Sequence, residues 1–255
     1  MQKQIFIIMF FLLLFGCSRA IVSQPLPPQS PDAVNLLFVV HGHSETPDDW
    51  PADLVSAISS RFTDRTQWDI VTYDWDRYSR KRFSASKSGL IIGRRVGEAL
   101  ASAKFNYRNI HFVGHSVGSF LIHAACNAYR EAAENPARLH VTFLDPFTLH
   151  GYFGWGFGWE QFGKGADFAE VYTNTDDIVP SSNGILEHAH NFDVTKSSHI
   201  KDSEPNMHWW PVDYYIMSVL DPGLPFGYQL SPMATGAENV AVQKIFPTGE
   251  TTIVP

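Results

Sequence analysis

The 255-residue chain predicts an α/β fold, with a mainly parallel, doubly wound sheet and helices on both faces. Three observations carry this. Apolar runs of strand length stop on polar residues or glycine, segments of helical period lie between them, and the two alternate along most of the chain.

The first run, Leu36-Leu37-Phe38-Val39-Val40, is continuous and ends at His41-Gly42, as expected of a strand buried on both faces. Residues 68 to 75 (WDIVTYDW) predict a second strand that ends in polar residues. Between 84 and 103 the apolar positions Ile92, Val96, Leu100 and Ala103 predict a helix. Gly89, Gly93 and Gly97 lie four apart on it and suggest close approach to a sheet. Ile110 to Val113 gives a third strand, then a turn over Gly114 to Gly118 and a helix to about Ala133. Residues 139 to 144 and 168 to 173 predict two more strands, 191 to 195 another, and Trp209 to Leu220 an apolar helix. Residues 221 to 255 hold five prolines and little periodicity, and the pattern gives them no role.

With 44% hydrophobic residues, the chain is long enough for one large core, and a single catalytic domain is expected over residues 33 to 220. The net charge of −7 and pI near 5.8 leave no surplus of Lys and Arg for a phosphate backbone. Nucleic acid is therefore not an expected partner.

Residues 1 to 16 read as an export signal, with Lys3 in a short basic stretch and an apolar run from Ile5 to Phe15. The run falls short of the 20 or so residues of a membrane span. Leu14-Phe15-Gly16-Cys17 resembles the bacterial lipobox. That resemblance implies cleavage before Cys17, lipid on its thiol and new amine, and an extracytoplasmic protein held on the bacterial cell envelope. Residues 17 to 32, rich in Pro, Ser and Gln, then read as a tether. With Cys17 lipidated, Cys126 has no intramolecular partner and no disulfide framework is expected.

Gly114-His115-Ser116-Val117-Gly118 carries the chemistry. This G-x-S-x-G sequence follows an apolar strand and opens an apolar helix, the setting in which small flanking residues allow a strained turn that presents a serine hydroxyl. A nucleophile of this kind needs N–H donors for an oxyanion, one of them expected from the backbone of Val117. The loop His41-Gly42-His43-Ser44, about 75 residues upstream, can supply the second from the backbone N–H of His43. Neither His41 with His43 nor His188 with His190 has a spaced third ligand for zinc, so no metal or organic cofactor is implied.

Tyr73-Asp74-Trp75, Val96-Gly97, the stretch Ile110 to Gly118, Leu144-Asp145-Pro146, the stretch Ala166 to Val171, Ile178-Val179-Pro180 and His208 before Tyr214-Tyr215 resemble, in order and spacing, the pancreatic-type lipases. The resemblance covers about residues 36 to 220 and implies the α/β-hydrolase fold with a Ser-His-Asp triad. Two acids compete under it. The pancreatic-type Leu-Asp-Pro motif falls on Asp145, and the Asp-x-Val-Pro motif of fungal triacylglycerol lipases falls on Asp177; Asp176 is a lesser candidate.

The base must follow the acid in the chain. His208, in a loop just before the apolar helix, is preferred, with His199 as the alternative; His188 and His190 read as surface residues. Residues 151 to 163 (GYFGWGFGWEQFG) are either a lip over the pocket or a loop folded onto the scaffold. The resulting expectation is a carboxylester hydrolase acting through an acyl-enzyme on a small-molecule or lipid acyl ester. The alternatives are an acyltransferase or thioesterase with the same triad, or a noncatalytic envelope lipoprotein that keeps the scaffold for binding.

Overall fold

The computed structural model describes residues 21–102, 104–151, 154, 156–198, 207–224, 226–231 and 247–255. Among the described residues, seven strands form one sheet: β1 (Asn35–Val40), β2 (Trp68–Tyr73), β3 (Asn109–His115), β4 (Arg138–Leu144), β5 (Phe168–Thr173), β6 (His190–Asp193) and β7 (Thr251–Ile253). Every pairing is parallel, in the order β2-β1-β3-β4-β5-β6-β7. The helices are α1 (Trp50–Ser59), α2 (Asp76–Ser79), α3 (Ala85–Leu100), α4 (Gly118–Ala132), α5 (Phe157–Gln161) and α6 (Trp210–Leu220).

Strand alternation divides the apolar residues between two cores. Leu36, Phe38 and Val40 of β1 face a core shared with Ile92, Val96 and Leu100 of α3 and Phe120, Leu121 and Ala125 of α4. Leu37 and Val39 face the other, with Trp50, Leu54 and Ile58 of α1 and Trp210, Val212 and Tyr215 of α6. The sheet is thus covered on both faces, as the continuous apolar run in β1 predicts. The chain leaves β1 for β2 on one side and returns to β3 on the other. Order reverses there, at the carboxyl ends of β1 and β3, the position at which open α/β sheets place their ligands. With a G-x-S-x-G turn at the end of β3, the architecture is the α/β-hydrolase fold.

Four local expectations are corrected. The glycines of α3 meet helix α4 and not the sheet: a Cβ on Gly93 would stand 2.1 Å from the Leu121 carbonyl oxygen, and one on Gly97 2.3 Å from that of Ala125. Side chains there would force the two backbones apart. The sheet does not end with residue 220, because β7 adds to β6 and Val254 and Tyr228 are buried. Residues 22 to 30, expected within a semi-extended tether, are hydrogen-bonded to the domain: Val22 and Gln24 donate their N–H groups to the hydroxyls of Tyr78 and Tyr73, and Ser30 donates to Asp69. His190, expected at the surface, is 2% exposed within β6.

The aromatic segment packs inward where it is described. Phe162 stacks on Phe143 with centroids 5.2 Å apart, and Phe157 on Phe120 at 5.6 Å. Residues 152, 153 and 155 of the expected lip lie outside the described residues, as do Cys17 and His199. Among the described residues, no helix is long and apolar enough to cross a membrane.

Candidate active site

Ser116 stands at the tip of the turn between β3 and α4 with φ of 50°, a left-handed backbone that an ordinary side chain adopts only under strain. Neighbouring strands hold it there. Its N–H donates to the Leu144 carbonyl at 3.0 Å, and its own carbonyl accepts from the Phe147 N–H at 3.1 Å. The elbow is thus bonded on both sides to the end of β4.

Asp145 follows that strand, also left-handed, with φ of 41°. It is fully buried, and its Oδ1 accepts from the Asn174 N–H at 3.1 Å. Asp177 lies in the loop after β5, where its Oδ1 accepts from the Val179 N–H at 3.1 Å and its Oδ2 from the Ser182 hydroxyl at 2.7 Å.

The two carboxylates meet at one atom. His208 Nδ1 lies 2.7 Å from Asp145 Oδ2 and 2.9 Å from Asp177 Oδ2. Asp176 stays apart, paired with Lys196 at 3.2 Å on the surface. His208 is placed by its loop: Asn174 Nδ2 donates to the Met207 carbonyl at 3.0 Å, and His115 Nε2 lies 3.1 Å from the carbonyl of His208 itself. The His115 and His208 rings are 4.7 Å apart, which sets His208 beside the elbow.

Burial and pairing act against each other on these groups. Burial would lower His208, but hydrogen bonds to Asp145 and Asp177 outweigh it and push the imidazole up to about 9. Burial dominates at Asp145 and raises it to about 6, despite its bond to His208. At Asp177 burial would also raise the carboxyl, but the bonds from His208 and Ser182 hold it at about 2.

The loop after β1 closes on the nucleophile. A Cβ on Gly42 would stand 3.0 Å from Ser116 Cβ, so only glycine lets this backbone come so near. The Gly42 N–H is taken by Glu45 Oε2 at 2.6 Å. His43 is the next residue, half-buried, with its Nδ1 3.0 Å from the Ser44 hydroxyl. Val117 is buried and begins the turn into α4.

Among the described residues, two groups have metal-ligand composition. In one, Asp145, Asp177 and His208, the proton on Nδ1 already serves both carboxylates. The other, His111, His140 and Glu170, lies deep under α6. Its centre is filled by the Thr142 hydroxyl, 2.9 Å from His111 Nε2, 3.2 Å from His140 Nε2 and 2.8 Å from Glu170 Oε1. Tyr172 and Tyr215 complete the Glu170 carboxylate at 2.9 and 3.1 Å. Neither set fits a metal as it stands. The second set instead bonds α6, through Tyr215, to the sheet.

Sequence reasoning missed Asn174, Ser182, Glu45 and His115. Asn174 and Ser182 flank the acids, but their contacts are set by loop shape. His115 occupies a variable position of the serine motif.

No family model and no curated protein matches the chain. Among solved structures, it is similar to RedJ with a PEG molecule bound in the active site, at a TM-score of 0.31 and 14% identity over 49% of this chain and 48% of that one. It is also similar to the RedJ thioesterase from the prodiginine biosynthetic pathway in Streptomyces coelicolor, at a TM-score of 0.29 and 15% identity over 51% of this chain and 48% of that one. The chain thus matches about half the length of these structures.

Proposed function

We propose that the protein is a serine hydrolase that cleaves carboxylic esters through an acyl-enzyme, with Ser116 as nucleophile, His208 as base, and Asp145 and Asp177 together as the acid. One observation carries this reading: a histidine whose ring lies 4.7 Å from that of His115, the neighbour of the strained, elbow-borne Ser116, has its Nδ1 held by buried carboxylate. That arrangement fixes the tautomer that leaves Nε2 to receive a proton.

In the reaction, Ser116 Oγ bonds to the ester carbonyl carbon as its proton passes to His208 Nε2. The carbonyl electron pair becomes an oxyanion that accepts from the N–H groups of Val117 and His43; the Gly42 N–H is occupied by Glu45. Collapse breaks the bond to the alcohol, which leaves with the proton from His208. Water then repeats the sequence on the acyl-serine and frees the acid. The ester class follows from the lipase-like motifs, and the same groups would serve a thioester.

The lipobox-like Leu14-Phe15-Gly16-Cys17 supports an envelope-held protein anchored by lipid at Cys17. A series of p-nitrophenyl esters of graded acyl length, assayed with parent, Ser116→Ala and His208→Ala, tests the reading. Turnover by the parent that falls by several orders of magnitude in both variants is expected. Absence of turnover across the series, or turnover that survives Ser116→Ala, would overturn it.

A further inference from the structure

Glu45 is a buried carboxylate with no part in the reaction above. It lies on the loop after β1, 5% exposed, and faces three partners. Oε2 accepts from the Gly42 N–H at 2.6 Å and from Trp50 Nε1 at 2.8 Å, while Oε1 stands 2.7 Å from His115 Nδ1. His115, itself fully buried, carries the contact onward through Nε2 to the His208 carbonyl at 3.1 Å. A carbonyl oxygen only accepts, so Nε2 is the nitrogen placed to donate to His208, while Nδ1 stands in close contact with the Glu45 carboxylate.

The groups of the proposed reaction come from segments near residues 43, 116 and 208. The β1 to β3 ladder joins the first two only as far as Val40 and Gly114. Beyond it, the run from Glu45 through His115 to the His208 carbonyl links all three. Space there is tight, since a Cβ on Gly42 would stand 3.0 Å from Glu45 Oε1, His115 Nδ1 and Ser116 Cβ alike.

We propose that Glu45 and His115 form a positioning pair that clamps the oxyanion loop and the His208 loop to the nucleophile elbow. Its part in catalysis rests on the hydrolase reading of Ser116. Burial would raise the Glu45 carboxyl, yet His115 and the bonds from Gly42 and Trp50 hold it at about 2, as an ionised anchor requires. Neither residue takes up a proton or forms a bond in the proposed reaction. Their effect is to hold Ser116, His208 and the oxyanion donors in one frame, where a displacement of about 1 Å can cost on the order of 10²-fold in rate.

The test compares the full chain with Glu45→Ala, Glu45→Gln and the double variant Glu45→Gln/His115→Phe, by ester kinetics and by backbone hydrogen exchange. In Glu45→Ala, kcat should fall about 10²-fold with KM within about threefold, because alignment and not ester binding is lost. Exchange should rise both in the loop at 41 to 45 and at 207 to 210, more than 160 residues away in sequence. Glu45→Gln keeps an oxygen for Gly42 and Trp50 and offers its amide N–H to His115, so it should recover at least about tenfold of the lost kcat.

If Glu45→Ala does not fold, the double variant, which keeps the ring volume and buries no charge, should show the same kcat loss and the same rise in exchange at 207 to 210. Parental kcat in folded Glu45→Ala or in the double variant, or parental exchange at 207 to 210 in either, would overturn the clamp. A parent without ester turnover would overturn the hydrolase reading and the clamp's catalytic part, while hydrogen exchange would still decide whether the loops are joined.

Discussion

Asp145 and Asp177 approach the same hydrogen-bond donor, His208 Nδ1, at 2.7 and 2.9 Å. A single N–H serves both, and each carboxylate has further donors that hold it in place: the Asn174 N–H for Asp145, and Ser182 with the Val179 N–H for Asp177. Losing one should therefore leave the imidazole still oriented by the other. Asp145→Asn should lower kcat about 10²-fold to 10³-fold and Asp177→Asn about tenfold, while the double variant reaches the roughly 10⁴-fold loss of a triad without its acid. Asp145 is given the larger share because it is fully buried and closer. A full loss in either single variant would show that one carboxylate acts alone.

The pH profile follows from the same pair. His208 must be neutral to accept the Ser116 proton, and two carboxylates favour its charged form, raising it to about 9. The rising limb of kcat/KM should thus lie well above the ordinary histidine range near 6.5. Asp177→Asn should move that limb to lower pH. The sign for stability is the reverse: the raised His208 stabilises the fold fully below about pH 6.5, and that contribution is lost as pH climbs through about 9. Asp145, raised to about 6 by burial, also costs stability as it ionises, whereas the contribution of Asp177 is lost only as pH falls through about 2. A kinetic limb near 6.5 in the parent would contradict the two-carboxylate account.

Gly97 is a stability site remote from the reaction. A Cβ there would stand 2.3 Å from the Ala125 carbonyl oxygen and 2.7 Å from the Tyr129 nitrogen, both backbone atoms of α4. Gly97→Ala should cost about 1 to 3 kcal/mol as the helices separate, despite alanine's better helix propensity. Denaturant unfolding measures it, with kcat per folded molecule nearly parental. A gain in stability would show that the helix pair is not closely packed.

Cys17→Ser tests the anchor. The variant should move from the membrane to the soluble exported fraction with specific activity retained, because lipid holds the chain from one end. Mass spectrometry that finds a mature N-terminus other than a lipidated Cys17 would contradict the proposal.

What could be read in the sequence was local. The run Leu36 to Val40 identifies β1 because burial on both faces leaves no alternation to misread, and the elbow is legible because its motif spans five residues between a strand and a helix. The acid stayed open between Asp145 and Asp177 because both follow strands that end at the same edge; only the loop paths bring both to one nitrogen. Strand β7 was missed because three residues in a proline-rich segment carry little pattern, and β6 supplies the pairing. Helix α1 was passed over although Trp50, Leu54, Ala57 and Ile58 repeat at helical spacing. Glu45 and His115 were invisible for another reason: a glutamate in a polar loop reads as solvated until the structure buries it against a histidine.

The central claim, that Ser116 is an activated nucleophile, is tested most directly by reacting folded protein with a fluorophosphonate and mapping the adduct by mass spectrometry. One adduct is expected, on Ser116, that disappears in Ser116→Ala and forms far more slowly in His208→Ala. A folded parent that takes up no probe, or an adduct that persists when Ser116 is replaced, would contradict it.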